Sequence, residues 1–317
     1  MAYHSNDELR SRLLEAAARA APRALACEVG STVEQRSIPA IRIAAPRRCP
    51  SLQQRQVLIT AAIHGNEVIA SELALHLIEA LSAPEPNDLA RQLLERVDVT
   101  IIPAVNLDQR ERTAPAMQKR CWWSGRGRAN RHGVDLNRNF PFPVGAHDAW
   151  HPLAGSRFRL FPWYRGPAPL SEPESRAIAA LAEQLRPLAA LSLHATGGLV
   201  LYPPCHSAIP PPDLAAFRDM GDRFVAAAGG HRYRVKQAHA WYAILGDLDD
   251  WLYASFGTLA VTIELGWPLA NLYQWPWRAP SALSWFNPRE PEPMCAPLVD
   301  ACLQALIAGV AAREGLA

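Results

Sequence analysis

The stretch LITAAIHGNEVIASELALHLIEAL, residues 58–81, decides the fold class of this chain. It begins as an apolar, β-branched strand and runs directly into an amphipathic helix, with His64 and Glu67 three positions apart at the junction. The carboxyl ends of strands are where α/β proteins place their ligands. The stretch therefore predicts a strand-to-helix unit with a candidate metal site at its turn, where Gly65 leaves room for the backbone.

Composition predicts one globular domain, residues 1–317. The chain is 49% hydrophobic and 20% charged, with a net charge of +2, which suits one large core and argues against nucleic-acid or membrane-surface partners. Its six cysteines form no CxxC pair and are expected to be reduced. The N-terminal sequence lacks the apolar core of a secretion signal and no long uninterrupted apolar run follows, so a cytoplasmic location is expected.

The pattern around the opening stretch alternates strands with helices. Apolar runs predict strands near residues 25–30, 40–45, 56–63, 98–106, 188–196 and 258–265. Helices are predicted after Ser5, Glu67 and Ser171, and near residues 88–97, 213–228 and 297–312. This alternation predicts an α/β fold, a three-layer α/β/α arrangement with a central mixed, mainly parallel sheet. Residues 106–170, rich in Arg, Pro, Gly and Trp, are predicted to be a long functional loop.

Two further segments carry residues suited to a metal-dependent site. A catalytic zinc ion takes three protein ligands and keeps one position open for water. His194 ends the strand LSLHAT, before a Gly-Gly pair, and could be the third ligand or a buried core histidine. In NRHGVDLNRNFP, Asn137 and Arg138 could clamp a carboxylate, since a guanidinium fork and an amide both donate to it; a solvated basic loop is the alternative.

Taken together, these motifs resemble those of the zinc carboxypeptidases of carboxypeptidase A type. HGNE, GVDLNRNFP, GPAPLSEPESRA, SLHA and TIELG occur in the family's order across roughly residues 55–270. Within the family, RANRHGVDLNRNFP is most similar to the bacterial murein peptide amidases. The resemblance implies a zinc carboxypeptidase-like fold and one Zn²⁺ per chain.

The resemblance also implies a role for each matched position. The implied zinc ligands are His64, Glu67 and His194; the general base is Glu264; the oxyanion arginine is Arg128, with Arg126 as the alternative; the carboxylate-binding pair is Asn137 and Arg138; the residue that caps the substrate is Tyr242; and Asp135 orients the first zinc histidine. A buried polar partner of this kind fixes the tautomer of a metal-binding histidine.

The spacing from Tyr242 to Glu264 matches that of the family, and this match implies that Asp249 lines the pocket for the departing residue. An acid there favours a cationic group, and Asp247 could add to it. A peptide or muropeptide substrate is implied. Meso-diaminopimelate, released from a γ-D-glutamyl linkage, has a free carboxylate and an amino group, and a second carboxylate that could find Arg120, Arg126, Arg131 or Arg165.

Three alternatives stay open. The chain could be a carboxypeptidase for ordinary peptides ending in a basic residue. It could be a zinc acylase of the aspartoacylase and succinylglutamate desuccinylase type, although Tyr242 and DLNRNFP argue against this. It could also be a non-catalytic binding module on the same fold.

One departure from the family is NLDQ, residues 106–109, which lacks the usual Pro and Gly and predicts a differently shaped start to the long loop.

Overall fold

The computed structural model describes residues 3–118, 127–142, 154–267 and 285–315. Its centre is an eight-stranded sheet in the order β1-β2-β4-β3-β5-β8-β6-β7. The strands are β1 Ala24–Ser31, β2 Ser37–Ile43, β3 Gln56–Ala61, β4 Asp98–Ile102, β5 Ala189–Ala195, β6 Leu199–Tyr202, β7 Arg234–Gln237 and β8 Leu259–Leu265. The four inner strands β4, β3, β5 and β8 run parallel, while β1, β2 and β6 add antiparallel pairings. The sheet is mixed and mainly parallel at its centre, as expected.

Helices cover the sheet. They are α1 Asn6–Arg19, α2 Val68–Ser82, α3 Asp88–Arg96, α4 Leu107–Gln118, α5 Pro173–Leu185, α6 Leu214–Ala227, α7 Leu248–Phe256 and α8 Glu292–Glu314. Helix α8 contacts α2, α3 and α6, and α2 contacts α1, so these five form one continuous layer. Helices α5 and α7 pack on strands of the sheet in the other layer. Central strands such as β3 and β5 are buried along their whole length because helices cover them.

Helix α8 illustrates how burial changes the meaning of an apolar sequence. By length and composition it could cross a membrane, yet 72% of its most apolar window is buried inside the protein. It lies against α6, α2 and β5, and Leu298, Leu303, Leu306 and Val310 belong to the main core. Its apolar character is that of a core helix.

Some predicted boundaries were wrong. Residues 107–118, expected to be loop, form α4, because the carbonyl of Asn106, in the connection after β4, accepts from Arg110 N and closes a first helical turn. Helix α5 begins at Pro173 without a side-chain cap, because the hydroxyl of Ser171 is bonded to Asn139 and Glu172 instead. Helix α8 begins at Glu292 rather than near residue 297, because Pro293 is tolerated in a first turn.

Candidate metal centre and active-site cavity

Three buried side chains meet where strands β3 and β5 end. His64 Nδ1 lies 2.8 Å from Glu67 Oε1, and His194 Nδ1 lies 2.9 Å from Glu67 Oε2. Each of the three offers a ligand atom, and these atoms lie within 4.8 Å of one another. The structure thus brings together all three residues that the sequence suggested as metal ligands.

Local backbone structure explains how the first two ligands reach this point. Ala62 adopts a left-handed φ of 49°, which turns the chain sharply after β3, and His64 follows this turn. Glu67 occupies the N-cap position of α2 but makes no capping bond with its side chain. Asn287 does the capping instead, since its Oδ1 accepts from Ile69 N at 3.0 Å. The carboxylate of Glu67 is therefore available to face the histidines.

The donor set fits a zinc ion. Two imidazoles and one carboxylate are the ligand combination of a catalytic zinc site. A neutral imidazole carries only one N–H, whereas each ring nitrogen of His64 faces a carboxylate oxygen, so one of these two contacts needs a cation to be favourable. Burial alone would lower the pKa of His194, but the Glu67 carboxylate raises that pKa to about 9. The cluster is thus built to hold positive charge, which a divalent metal supplies.

Asp135 connects the metal ligands to the rest of the site. Its Oδ1 lies 3.1 Å from His64 Nε2, the nitrogen that faces away from Glu67. Its Oδ2 accepts from Arg128 Nε at 2.7 Å, and its Oδ1 also accepts from Asn137 N at 3.0 Å. Although burial opposes ionisation, Arg128, Arg138 and His64 hold the pKa of Asp135 well below its usual range. One ionised carboxylate therefore orients a metal ligand and an arginine together.

Glu264 is the strand-borne carboxylate beside this cluster. It pairs with His194 in the parallel register of β5 and β8, so the two side chains stand on neighbouring strands at the same level. Its side chain lines the cavity, and its Oε2 has no hydrogen-bond partner among the described residues. Burial raises the pKa of Glu264 to about 7. A carboxylate in this state is suited to proton transfer near neutral pH.

The predicted carboxylate-binding pair lies along the same cavity. Asn137 and Arg138 belong to a short 3-10 turn, residues 136–138, that Asp135 caps. Asn137 Nδ2 donates to Asp247 at 2.8 Å, while its Oδ1 accepts from Leu248 N at 3.0 Å. The guanidinium carbon of Arg138 lies 5.9 Å from the ring centroid of Tyr242. The structure places Arg138, Asn137 and Tyr242 together in the cavity wall.

The position of Asp249 corrects one expectation. Its side chain is only 2% exposed and does not line the cavity. Both its oxygens accept from hydroxyls, those of Ser192 and Thr262, each at 2.6 Å. Thr262 does line the cavity, as does Asp247. Asp249 therefore lies behind the cavity wall, where hydroxyls of the adjacent strands hold its carboxylate. Burial, and after it the negative charge of Asp247, raise the pKa of Asp249 to about 7.

The loop arginines are dispersed. Arg131 Nε donates to Glu34 at 2.7 Å, and Arg165 lies over the ring of Phe142, so neither lines the metal cavity. Arg120 and Arg126 lie outside the described residues. Arg128 lines the cavity, with a terminal nitrogen 3.8 Å from Glu67 Oε1, beside the metal-ligand candidates.

The cavity also contains residues that sequence reasoning missed. It encloses about 240 Å³ and includes Trp163, Trp241 and Trp285 in its lining. Asn106 was noticed only as part of a departure from the family turn, yet its Nδ2 bridges toward the carbonyls of Ile63 and Arg128. The density of tryptophan in the loop segments was the one available signal for the three tryptophans. Nothing in the sequence indicated the contacts of Asn106.

Comparison with known proteins agrees with this geometry. Residues 11–276 match the sequence model of the family described as zinc carboxypeptidase. The chain is 26% identical over 294 residues to carboxypeptidase Z of Rattus norvegicus, covering 84% of this chain and 44% of the relative. It is 28% identical over 233 residues to carboxypeptidase O of Homo sapiens, covering 70% and 59%. The chain therefore spans less than half the length of the carboxypeptidase Z relatives.

Solved structures share the fold. The structure of thrombin-activatable fibrinolysis inhibitor matches with a TM-score of 0.79 at 22% identity, covering 98% of this chain and 75% of the other. Carboxypeptidase A from Helicoverpa armigera matches with a TM-score of 0.75 at 21% identity, with coverage of 98% and 75%. With more than half of its length matched by the family's sequence model, the chain belongs to the zinc carboxypeptidase family.

Proposed function

We propose that this chain is a zinc-dependent metallocarboxypeptidase that hydrolyses the amide bond before a C-terminal residue with a free carboxylate. One observation carries the proposal: Glu264, the three metal-ligand candidates and Arg138 line a single cavity. Exopeptidase chemistry needs a base, a metal site and a group that binds the terminal carboxylate, all within one cavity.

The reaction depends on a water molecule and a proton acceptor. A zinc ion held by His64, Glu67 and His194 would lower the pKa of bound water and polarise the scissile carbonyl. Glu264 takes the proton through its unpartnered Oε2 and passes it to the leaving amine. Its raised pKa suits both steps, since a carboxyl group that titrates near 7 can accept and donate at neutral pH.

Arg128 stabilises the charge that develops on the carbonyl oxygen. Its Nε is held by Asp135, so the guanidinium is oriented before the substrate arrives. A preorganised donor of this type typically contributes about 3 to 4 kcal/mol to transition-state stabilisation. Because Asp135 also bonds His64, the oxyanion donor and the metal site keep a fixed relative position.

Arg138 and Asn137 bind the terminal carboxylate. A guanidinium with an amide beside it can form two or more charge-assisted hydrogen bonds to a carboxylate. Asp247 and Leu248 hold the Asn137 amide in place, and Tyr242 lies over Arg138, where it can cover the bound residue. This anchor restricts hydrolysis to the last residue of a substrate.

For the substrate itself we propose a muropeptide, cleaved between γ-D-glutamate and diaminopimelate. The RANRHGVDLNRNFP similarity supports it, as do the acids Asp247 and Asp249 at and behind the cavity wall, which favour an amino group. The same acids support a carboxypeptidase for Lys or Arg as the second candidate, and the curated relatives are named as carboxypeptidases. A cytoplasmic location remains part of the muropeptide proposal.

A zinc acylase and a silent binding module have less support. A zinc acylase for small N-acyl amino acids has no need for an anchored Tyr242 above Arg138, yet the structure places both in the cavity wall. A silent binding module has no need for a buried, unpartnered base, and Glu264 is one among the described residues. The hydrolysis experiment that follows distinguishes both from a carboxypeptidase.

The test is hydrolysis followed by mass spectrometry with the zinc-loaded protein. One substrate is L-alanyl-γ-D-glutamyl-diaminopimelate, and the other is a set of L-peptides ending in Lys, Arg, Leu or Glu. We expect diaminopimelate release, reduced at least about 100-fold in Glu264→Gln, which keeps the shape and the zinc ligands. Release of Lys or Arg alone would favour the second candidate. No release from any substrate by the zinc-loaded protein would overturn the carboxypeptidase proposal.

A further inference from the structure

A short turn at residues 158–161 presents three apolar side chains to solvent. Leu160 is 84% exposed, Phe158 is 62% exposed and Phe161 is 41% exposed. In the part of the chain that the structure describes, the other large apolar side chains with strong exposure occur singly along the sequence. Single exposed apolar residues are ordinary on a protein surface, whereas a group of them marks a site of interaction. Residues 158–161 are called the apolar turn below.

Backbone hydrogen bonds define the shape of the loop that carries the apolar turn. Ser156 N donates to the carbonyl of Trp163 at 2.8 Å, and Arg165 N donates to the carbonyl of Ser156 at 3.0 Å, so the loop is closed at its base. Phe161 N donates to the carbonyl of Phe158 at 3.0 Å, which is the hydrogen bond of a four-residue turn. The two residues between them, at positions 159 and 160, therefore form the tip.

The base of this loop is attached to the body of the protein. The carbonyl of Tyr164 accepts from Asp135 N at 2.8 Å, and the carbonyl of Arg165 accepts from Asn139 Nδ2 at 2.8 Å. Asp135 and Asn139 flank the short 3-10 turn at residues 136–138. The loop is thus ordered before any partner arrives, so a contact made by its tip costs little further entropy.

The apolar turn lies within a positively charged segment. Residues 154–170 contain Arg157, Arg159 and Arg165 and no Asp or Glu. Arg157 and Arg159 are exposed, and they alternate along the chain with the exposed apolar side chains. The net charge of +2 for the whole chain conceals this grouping, because acids and bases nearly cancel over the remaining residues. The partner of the turn should therefore combine an apolar layer with negative charge.

The size and chemistry of this feature favour a lipid surface over a protein partner. A stable protein contact buries about 800 Å² on each partner, which one four-residue turn does not supply. A bilayer accepts a small apolar protrusion at the depth of its headgroups, and anionic headgroups attract nearby arginines. Arginine side chains suit this boundary, because their stems lie along apolar surface while the guanidinium stays among polar groups.

We propose that residues 157–161 dock this protein reversibly on an anionic phospholipid surface. Phe158, Leu160 and Phe161 enter the boundary between headgroups and acyl chains, and Arg157 and Arg159 contact the headgroup phosphates. The attachment is reversible because one turn buries far less apolar surface than a membrane-spanning helix. None of these five residues lines the active-site cavity, so the proposal does not depend on the hydrolytic function.

The test is co-sedimentation of the full chain with vesicles of phosphatidylcholine, made with and without phosphatidylglycerol, at low and at high salt. Leu160→Ser removes an apolar side chain from the tip, and Ile209→Ser removes one that is 74% exposed elsewhere, as the matched control. Arg159→Gln removes one charge from the turn, and Arg218→Gln removes one from an exposed position on α6. Thermal unfolding followed by circular dichroism checks that each variant is folded.

We expect wild type to bind the vesicles that contain phosphatidylglycerol at least about 10-fold more tightly than those of phosphatidylcholine alone, with the difference reduced at high salt. Leu160→Ser should lower the partition coefficient about 5- to 20-fold on the anionic vesicles. Arg159→Gln should lower it about 5-fold there and leave binding to neutral vesicles unchanged. Ile209→Ser and Arg218→Gln should stay within about 2-fold of wild type.

Three results would overturn the proposal. The first is no binding of wild type to anionic vesicles at low salt. The second is an equal loss in Leu160→Ser and Ile209→Ser, or in Arg159→Gln and Arg218→Gln, since the turn would then have no special part. The third is a wild type that binds no vesicle but sediments as a dimer that Leu160→Ser dissociates, which would make the apolar turn a contact between two copies of this chain.

Discussion

Asp135 Oδ1 lies 3.1 Å from His64 Nε2, so a buried carboxylate supports one candidate metal ligand from the side opposite Glu67. This bond favours the tautomer that leaves Nδ1 without its proton and able to bind a cation. The same carboxylate holds Arg128. A substitution at Asp135 should therefore alter both the affinity for the metal and the orientation of Arg128.

Asp135→Asn should weaken zinc binding about 10- to 100-fold, the usual effect of losing a polar partner behind a metal ligand. The amide keeps the shape but supplies no charge for His64 or Arg128. Competition with a chromophoric chelator measures the affinity. Asp219→Asn, at an exposed residue that pairs with Arg223 on α6, is the control and should bind zinc like wild type. Unchanged affinity in Asp135→Asn would show that His64 needs no such support.

Gly65→Ala should disturb the turn between the first two ligands. A Cβ at position 65 would lie 2.6 Å from the Cβ of Gln109 and 2.9 Å from Arg110 N, both on α4. Overpacking of this kind typically costs about 1 to 3 kcal/mol, and here the shift would move His64 and Glu67 apart. We expect a lower urea midpoint and less bound zinc. Gly133→Ala, where the added Cβ meets no atom within 4 Å but φ is 80°, separates crowding from backbone strain.

Asp249→Asn should reduce selectivity for cationic departing residues. Asp249 lies behind the cavity wall, and its Oδ2 accepts from the hydroxyl of Thr262, which lines the cavity, at 2.6 Å. Its negative charge is therefore close enough to attract a cationic group bound in the cavity. We expect kcat/KM for substrates ending in Lys, Arg or diaminopimelate to fall about 10-fold or more while substrates ending in Leu are spared. A parallel loss on all substrates would mean that Asp249 acts only on the structure of the wall.

Glu34 should make stability depend on pH in the acid range. Hydrogen bonds from Arg112, Arg36 and Arg131 lower the pKa of Glu34 from 4.5 to about 2. A folded-state pKa below the unfolded value means that the unfolded chain binds more protons, so this contribution is present above about pH 4.5 and is lost as pH falls towards 2. Glu34→Gln should unfold at lower urea than wild type at pH 7.

The difference between wild type and Glu34→Gln should shrink as the pH is lowered from 4.5 to about 2.5. Circular dichroism during urea titration measures it. Glu183→Gln, at an exposed position on α5, serves as the control and should show no comparable narrowing. A constant difference between Glu34→Gln and wild type across this range would show that the three arginines do not act through the ionised carboxylate.

How much could be predicted from the sequence depended on whether a feature was local. The junction at His64 and Glu67 and the strand ends at His194 and Glu264 were predictable, since alternating strands and helices fix where such residues must lie. Helix α4 was missed because its sequence is polar and contains Pro115, so its apolar pattern is weak. The orientation of Asp249 could not be predicted, because Asp249 lies on α7 and the hydroxyls that donate to it come from Ser192 on β5 and Thr262 on β8.

The register of β5 and β8 has a consequence for how this site can vary. His194 and Glu264 face each other across a parallel pair, and neighbouring strands are about 4.8 Å apart whatever their side chains. The spacing of His194 and Glu264 is thus set by the backbone, while Trp163, Trp241 and Trp285 are presented to the cavity by segments outside the central strands. Substitutions in those segments would change the lining of the cavity and leave His194 and Glu264 at their spacing. The shape of the cavity and the spacing of these two residues can therefore vary separately in this protein.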